Sequence, residues 1–178
     1  SKTAGILIAS MSSTKASGTM TIPTYSASTA VDLLTWTSGS ITNNDSTVLG
    51  RLTVSGGTFT SGTSSYIGAF TLEGGTFVAS SGTTTFAAAF SKTGGTYTHN
   101  SGTTAFDCQG GGSYSVTSGS APFNNLTFTK SAAAGCSTIT LLDNISVAGN
   151  LSVTATFANN YSVQSQSSLN PTITVAGD

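Results

Sequence analysis

The chain has 178 residues, with 5 basic and 6 acidic side chains and a net charge of −1. Charged residues make up 6% of it, against about 25% in an average globular protein. That excludes an electrostatic nucleic-acid footprint, and no run reaches the ~20 apolar residues of a membrane helix. Ser and Thr together number 63, a composition that approaches that of disordered chains. The 14 Phe and Tyr residues recur in register, however, and mark a folded chain long enough for one domain with a core.

Residues 1–37 form an irregular first region, expected to be a cap or an assembly region. The chain opens at Ser1 with no basic or apolar leader pattern, as in a processed protein or a fragment of a longer one. Ile6, Leu7 and Ile8 form an apolar run of strand length, and Thr19-Met20-Thr21-Ile22 alternates up to Pro23. A short capping helix is expected around 27–34, opened by Ser28 or Thr29 as N-cap.

From Ser38 to Lys130 one phrase returns. It reads Ser38-Gly39-Ser40-Ile41-Thr42, Gly56-Gly57-Thr58-Phe59-Thr60, Gly74-Gly75-Thr76-Phe77-Val78, Gly94-Gly95-Thr96-Tyr97-Thr98 and Gly111-Gly112-Ser113-Tyr114-Ser115. The starts at 38, 56, 74, 94 and 111 give steps of 18, 18, 20 and 17. A second phrase rides inside it: Ser61-Gly62-Thr63, Ser81-Gly82-Thr83 and Ser101-Gly102-Thr103. Self-similarity at such a period marks a stacked repeat fold.

Within each phrase the aromatic faces one side and its flanking threonines the other, as the two-residue period of a strand requires. The expected fold is therefore all-β, a parallel β-solenoid with one coil of 17–20 residues per repeat. Ile41, Phe59, Phe77, Tyr97 and Tyr114 are expected to form one interior column. The glycine pairs fall at corners that need positive φ. An antiparallel sandwich also has many short strands, but it has no reason to repeat the same words at the same offsets.

After Lys130 the glycine phrase stops and strand patterning continues to the end. Ser137–Leu141, Ile145–Val147, Leu151–Thr154 and Thr172–Val175 alternate, separated by turn residues. No linker interrupts 1–178, so a single domain is expected: 1–37 irregular, 38–130 regular repeats, 131–178 C-terminal coils.

Residues 38–156 carry a resemblance. Gly-Gly-Thr-Phe-Thr, Ser-Gly-Thr-Thr-Ala-Phe, Phe123-Asn124-Asn125-Leu126-Thr127-Phe128 and Ile145–Val153 resemble the β-strand repeats of large bacterial surface proteins and adhesins. The resemblance implies an extracellular β-solenoid and carries no catalytic residues.

Enzymes on β-helices need clustered carboxylates. Here Asp32, Asp45, Glu73, Asp107, Asp143 and Asp178 occupy unrelated coil positions, and His99 falls at a corner. No enzyme activity, cofactor or metal site is expected. Cys108 and Cys136 lack metal-ligand spacing and admit either a disulfide or two buried thiols.

The outward residues of the phrase form hydroxyl ladders through Thr42, Thr58, Thr60, Thr76, Thr96 and Thr98. Such ladders resemble ice-binding solenoids, and Thr also simply suits exposed sheet. Five N-glycosylation sequons, at Asn44, Asn125, Asn144, Asn150 and Asn160, are near what chance gives in so Ser/Thr-rich a chain.

The sequence thus points to an extracellular, cell-surface structural protein: a surface component or filament subunit, with adhesion as a further role. Its expected partner is itself, head to tail through Ile6, Leu7 and Ile8 at one end and Ile173 and Val175 at the other; surface glycans are a second partner. The alternative is an ice-binding or carbohydrate-binding module presenting its Thr ladders.

Overall fold

The computed structural model describes residues 11–13, 19–22, 30–43, 48–109, 112–132, 136–155, 161–166 and 168–176, with side chains from residue 33 onward. Strands β1 to β5 are Met11–Ser13, Thr19–Ile22, Ala30–Trp36, Ser40–Asn43 and Val48–Val54. Strands β6 to β10 are Thr58–Thr60, Ser64–Leu72, Thr76–Val78, Thr83–Phe86 and Phe90–Lys92. Strands β11 to β15 are Thr96–Thr98, Thr103–Asp107, Tyr114–Thr117, Pro122–Phe123 and Asn125–Lys130. Strands β16 to β20 are Thr138–Leu141, Ile145–Val147, Leu151–Ala155, Ser162–Ser165 and Ile173–Val175. The described residues contain no helix, and the strands pair in parallel as a β-solenoid.

The early coils alternate a long strand with a short one. β1, β3, β5 and β7 stack along the long face, while β2, β4, β6, β8 and β11 form a five-stranded sheet on the short face. At β7 the long face forks. Its first half, from Ser64 to Ile67, pairs with β9, and its second half, from Phe70 to Leu72, pairs with β10. From there β12, β15 and β18 extend one branch and β13, β16 and β19 the other. The fork forms where small residues let the chain turn: Ala87 and Ala88 donate to the Ile67 and Gly68 carbonyls, and Ala89 O accepts from Phe70 N. Later coils therefore have three faces, the third being β14, β17 and β20.

The core runs the length of the stack as columns of inward side chains. Phe59 pairs with Ile41 and Phe77, and Phe77 with Tyr97, each in strand register. All four are buried. The long face supplies Leu52, Phe70 and Phe90 in one column and Phe86, Phe106 and Phe128 in another. Rings one coil apart meet at 5.6 Å for Phe59 and Phe77 and 5.6 Å for Phe106 and Phe128.

Tyr114 departs from the expected column. It lies in β13, paired with Ile139 on a branch of the long face, and is half-buried. The coil after Tyr97 instead presents Phe123, whose ring meets Tyr97 edge-on at 5.5 Å. The repeated word at Gly111 to Ser115 misleads because the fork gives that coil an extra face. The five-stranded sheet also stops at β11, and β14 begins a new one. Pro122 opens β14 and has no N–H to donate to a ladder.

The expected capping helix at 27–34 is also absent. Ala30–Trp36 is strand β3, in parallel register with β5. Leu34 and Trp36 point inward and are buried, a two-residue period that a helix cannot present to this core. The start of that expected helix, 27–29, lies outside the described residues.

Each of the two glycines at a corner has its own reason. Gly75 has φ +66°, a left-handed conformation that disfavours a Cβ. Gly74 packs against the coil below, where an added Cβ would lie 2.4 Å from the Ser55 carbonyl oxygen.

Candidate functional site: the hydroxyl face and the terminal coil

Two outward ladders run up the short face in strict register. Ser40, Thr58, Thr76 and Thr96 form one, and Thr42, Thr60, Val78 and Thr98 the other. In backbone register, Thr19 and Thr21 of β2 stand opposite Ser40 and Thr42. From β4 to β11 every outward position of this sheet is Ser, Thr or Val. Thr96 and Thr98 are exposed, while Thr42, Thr58, Thr60 and Thr76 are partly covered by their neighbours. The Gly39, Gly57 and Gly75 carbonyls each accept from the backbone N–H of the threonine that opens the next short strand, at 2.7, 2.8 and 2.9 Å. These corner bonds hold the coils in step.

A further ladder escaped the sequence reading. Thr35, Thr53, Thr71, Ser91 and Thr117 pair in turn along the long face. Its signal was present, since 35, 53 and 71 repeat the 18-residue step of the glycine phrase.

The last described coil differs from those beneath it. β18, β19 and β20 each pair on one side only, with β15, β16 and β17. Phe128 and Val147 are buried, yet their register partners Val153 and Val175 are 60% and 40% exposed. Leu151, Val163 and Ile173 are partly buried against the core. Ile173 and Val175 thus sit together on the open edge of the three-stranded sheet. Ile6, Leu7 and Ile8 lie outside the described residues.

Cys108 and Cys136 form a disulfide across a sequence separation of 28. It ties the connection after β12 to the connection before β16. Beside it Asp107, buried, accepts from Ser131 N at 3.0 Å and from the Ser131 hydroxyl and Gln109 Nε2, both at 2.5 Å. Gln109 Oε1 accepts from the Tyr66 hydroxyl at 2.6 Å. Burial, and secondarily the Asp107 carboxylate, raises the Tyr66 phenol above its ordinary value. Burial likewise pushes up Tyr114 and Tyr161, whose hydroxyls have no partner. The sequence reading missed this network because its members come from three separate coils.

Of the remaining acids, Glu73 and Asp143 have described side chains, while Asp45 and Asp178 lie outside the described residues. Glu73 is exposed at a corner. Asp143 accepts from Ser118 N and Gly119 N, each at 2.6 Å, pinning the corner of the coil below. The His99 ring accepts from Ser101 N at 2.9 Å within its own turn. Among the described residues no three His, Cys, Asp or Glu side chains are grouped to hold a metal ion. Comparison with family models, with curated proteins and with solved structures gave no match.

Proposed function

We propose that this chain is an extracellular structural protein of the bacterial surface type, a β-solenoid that assembles by end-to-end stacking of coils. The last described coil carries the reading. Among the described residues its three strands pair on one side only, and Val153 and Val175 are exposed where the coil below buries the same positions. Such edges template pairing with another chain, and a head-to-tail contact propagates as a filament if its rotation does not close. A net charge of −1 offers little repulsion between copies. The Cys108–Cys136 disulfide supports an oxidising compartment outside the cytosol.

Sedimentation of the full chain over a wide concentration range tests this, with negative-stain images of the same samples. Growing linear particles are expected, and Val153→Lys with Val175→Lys is expected to abolish them without lowering Tm. A monomer at all concentrations ends the filament reading.

The hydroxyl face favours a second reading, an ice-binding or glycan-binding module. Neighbouring rungs stand about 4.8 Å apart. Tetrahedral water with oxygens about 2.75 Å apart places its next-nearest oxygens about 4.5 Å apart, close to the rung spacing. Thermal hysteresis that vanishes on replacing Thr58, Thr60, Thr96 and Thr98 by Lys would support ice binding. Wild-type chain without hysteresis at millimolar concentration removes it.

A further inference from the structure

One interior column of the solenoid is polar, and along most of its length the protein satisfies it. Ser65, Thr84, Thr104 and Leu126 pair in turn along the long face. Thr84 Oγ1 accepts from Ser80 N at 2.9 Å, and Thr104 Oγ1 shares a hydrogen bond with the Tyr97 hydroxyl at 2.8 Å. Higher still, Leu126 ends the polar column.

The lower end differs. Asn43 follows Thr42, which pairs with Thr60, so Asn43 stands against Ser61. Ser65 lies four residues beyond Ser61, across the corner into β7. Asn43, Ser61 and Ser65 are 0%, 7% and 3% exposed. Yet Asn43 Nδ2 and Oδ1, Ser61 Oγ and Ser65 Oγ all lack a protein partner. Burying polar atoms unpaired is unfavourable, and native interiors satisfy almost all of them.

We propose that Asn43, Ser61 and Ser65 line an internal water site at this corner. The chemistry suits water: an amide donor, an amide acceptor and two hydroxyls that do either. A buried water typically makes about three hydrogen bonds, which these side chains supply. The neighbouring rung favours room over closure. Ser61 N donates to Val78 O, which puts the small side chain of Ala79 over Ser61. The coils above need no guest, because Ser80 and Tyr97 reach Thr84 and Thr104 directly.

Water-selective nuclear Overhauser spectra of the folded full chain test the proposal, with a high-resolution crystal structure as a second measurement. Long-lived cross-peaks between water and the Asn43 side-chain amide protons are expected, with ordered density bridging Asn43, Ser61 and Ser65. The double variant Ser61→Ala and Ser65→Ala is expected to lose most of that cross-peak intensity while keeping its far-ultraviolet circular dichroism. Wild-type chain with no such cross-peaks and no such density overturns the proposal, and that result does not depend on any variant folding. A cross-peak unchanged in the double variant overturns the assignment of the two serines.

Discussion

Phe59 and Phe77 stack with ring centroids 5.6 Å apart and planes 9° from parallel, eighteen residues apart in the chain. Parallel strands in register place equivalent side chains directly over one another. An aromatic that recurs at the coil period therefore meets its own kind, and Phe77 continues the stack to Tyr97 at 5.5 Å. Phe77 also touches Phe70 and Phe86, joining the columns of two faces. Its replacement by Ala is expected to cost about 3–5 kcal/mol, as for other buried aromatics. Urea denaturation measures this, and Tyr114→Ala, at a half-buried position, should cost clearly less.

The glycines separate two physical causes. Gly74 lies outside the left-handed region, so Gly74→Ala tests packing alone, with its Cβ 2.4 Å from the Ser55 carbonyl. Overpacking of this kind costs about 1–3 kcal/mol or more. Gly112 has φ +90° and open space around an added Cβ, so Gly112→Ala tests conformation alone, at roughly 1–2 kcal/mol. Gly75→Ala combines both causes and should be the worst of the three. Thermal melts of the three variants give the order.

Removing the disulfide by Cys108→Ala with Cys136→Ala releases a loop of 28 residues. The chain-entropy estimate for that length is about 3.5 kcal/mol. Thiol titration of the unfolded wild-type chain without reductant should find no free thiol. Unfolding with and without reductant should then differ by an amount similar to that of the double variant.

Asp143 pins Ser118 N and Gly119 N of the coil below. Hydrogen bonds to a charged acceptor contribute about 1.5–3 kcal/mol, so Asp143→Ala should lower stability by about that much. Asp143→Asn keeps one acceptor and should lose roughly half. Hydrogen exchange should show the loss centred on residues 118–121; uniform loss across the chain would argue against a local role.

Period and alternation made much of this protein legible before any coordinates. The 18-residue spacing of Gly-Gly-Thr-Phe implies stacking, and the inward Phe between outward residues sets the face of each short strand. Both follow from the two-residue period of a strand, a local property. The column from Ile41 to Tyr97 and the Thr58 and Thr60 ladders needed nothing more. Tyr114 and the stretch at 27–34 were misread for the opposite reason. Whether Tyr114 continues a column depends on the fork at β7, and whether residues 30–34 form helix or strand depends on β5 lying alongside. Pairing between distant segments decides both, and tertiary contact overrides local pattern there. The disulfide, the Tyr66–Gln109–Asp107–Ser131 network and the orphaned polar corner at Asn43 belong to the same class. Each joins residues from different coils, and only the stacking of those coils brings them within reach.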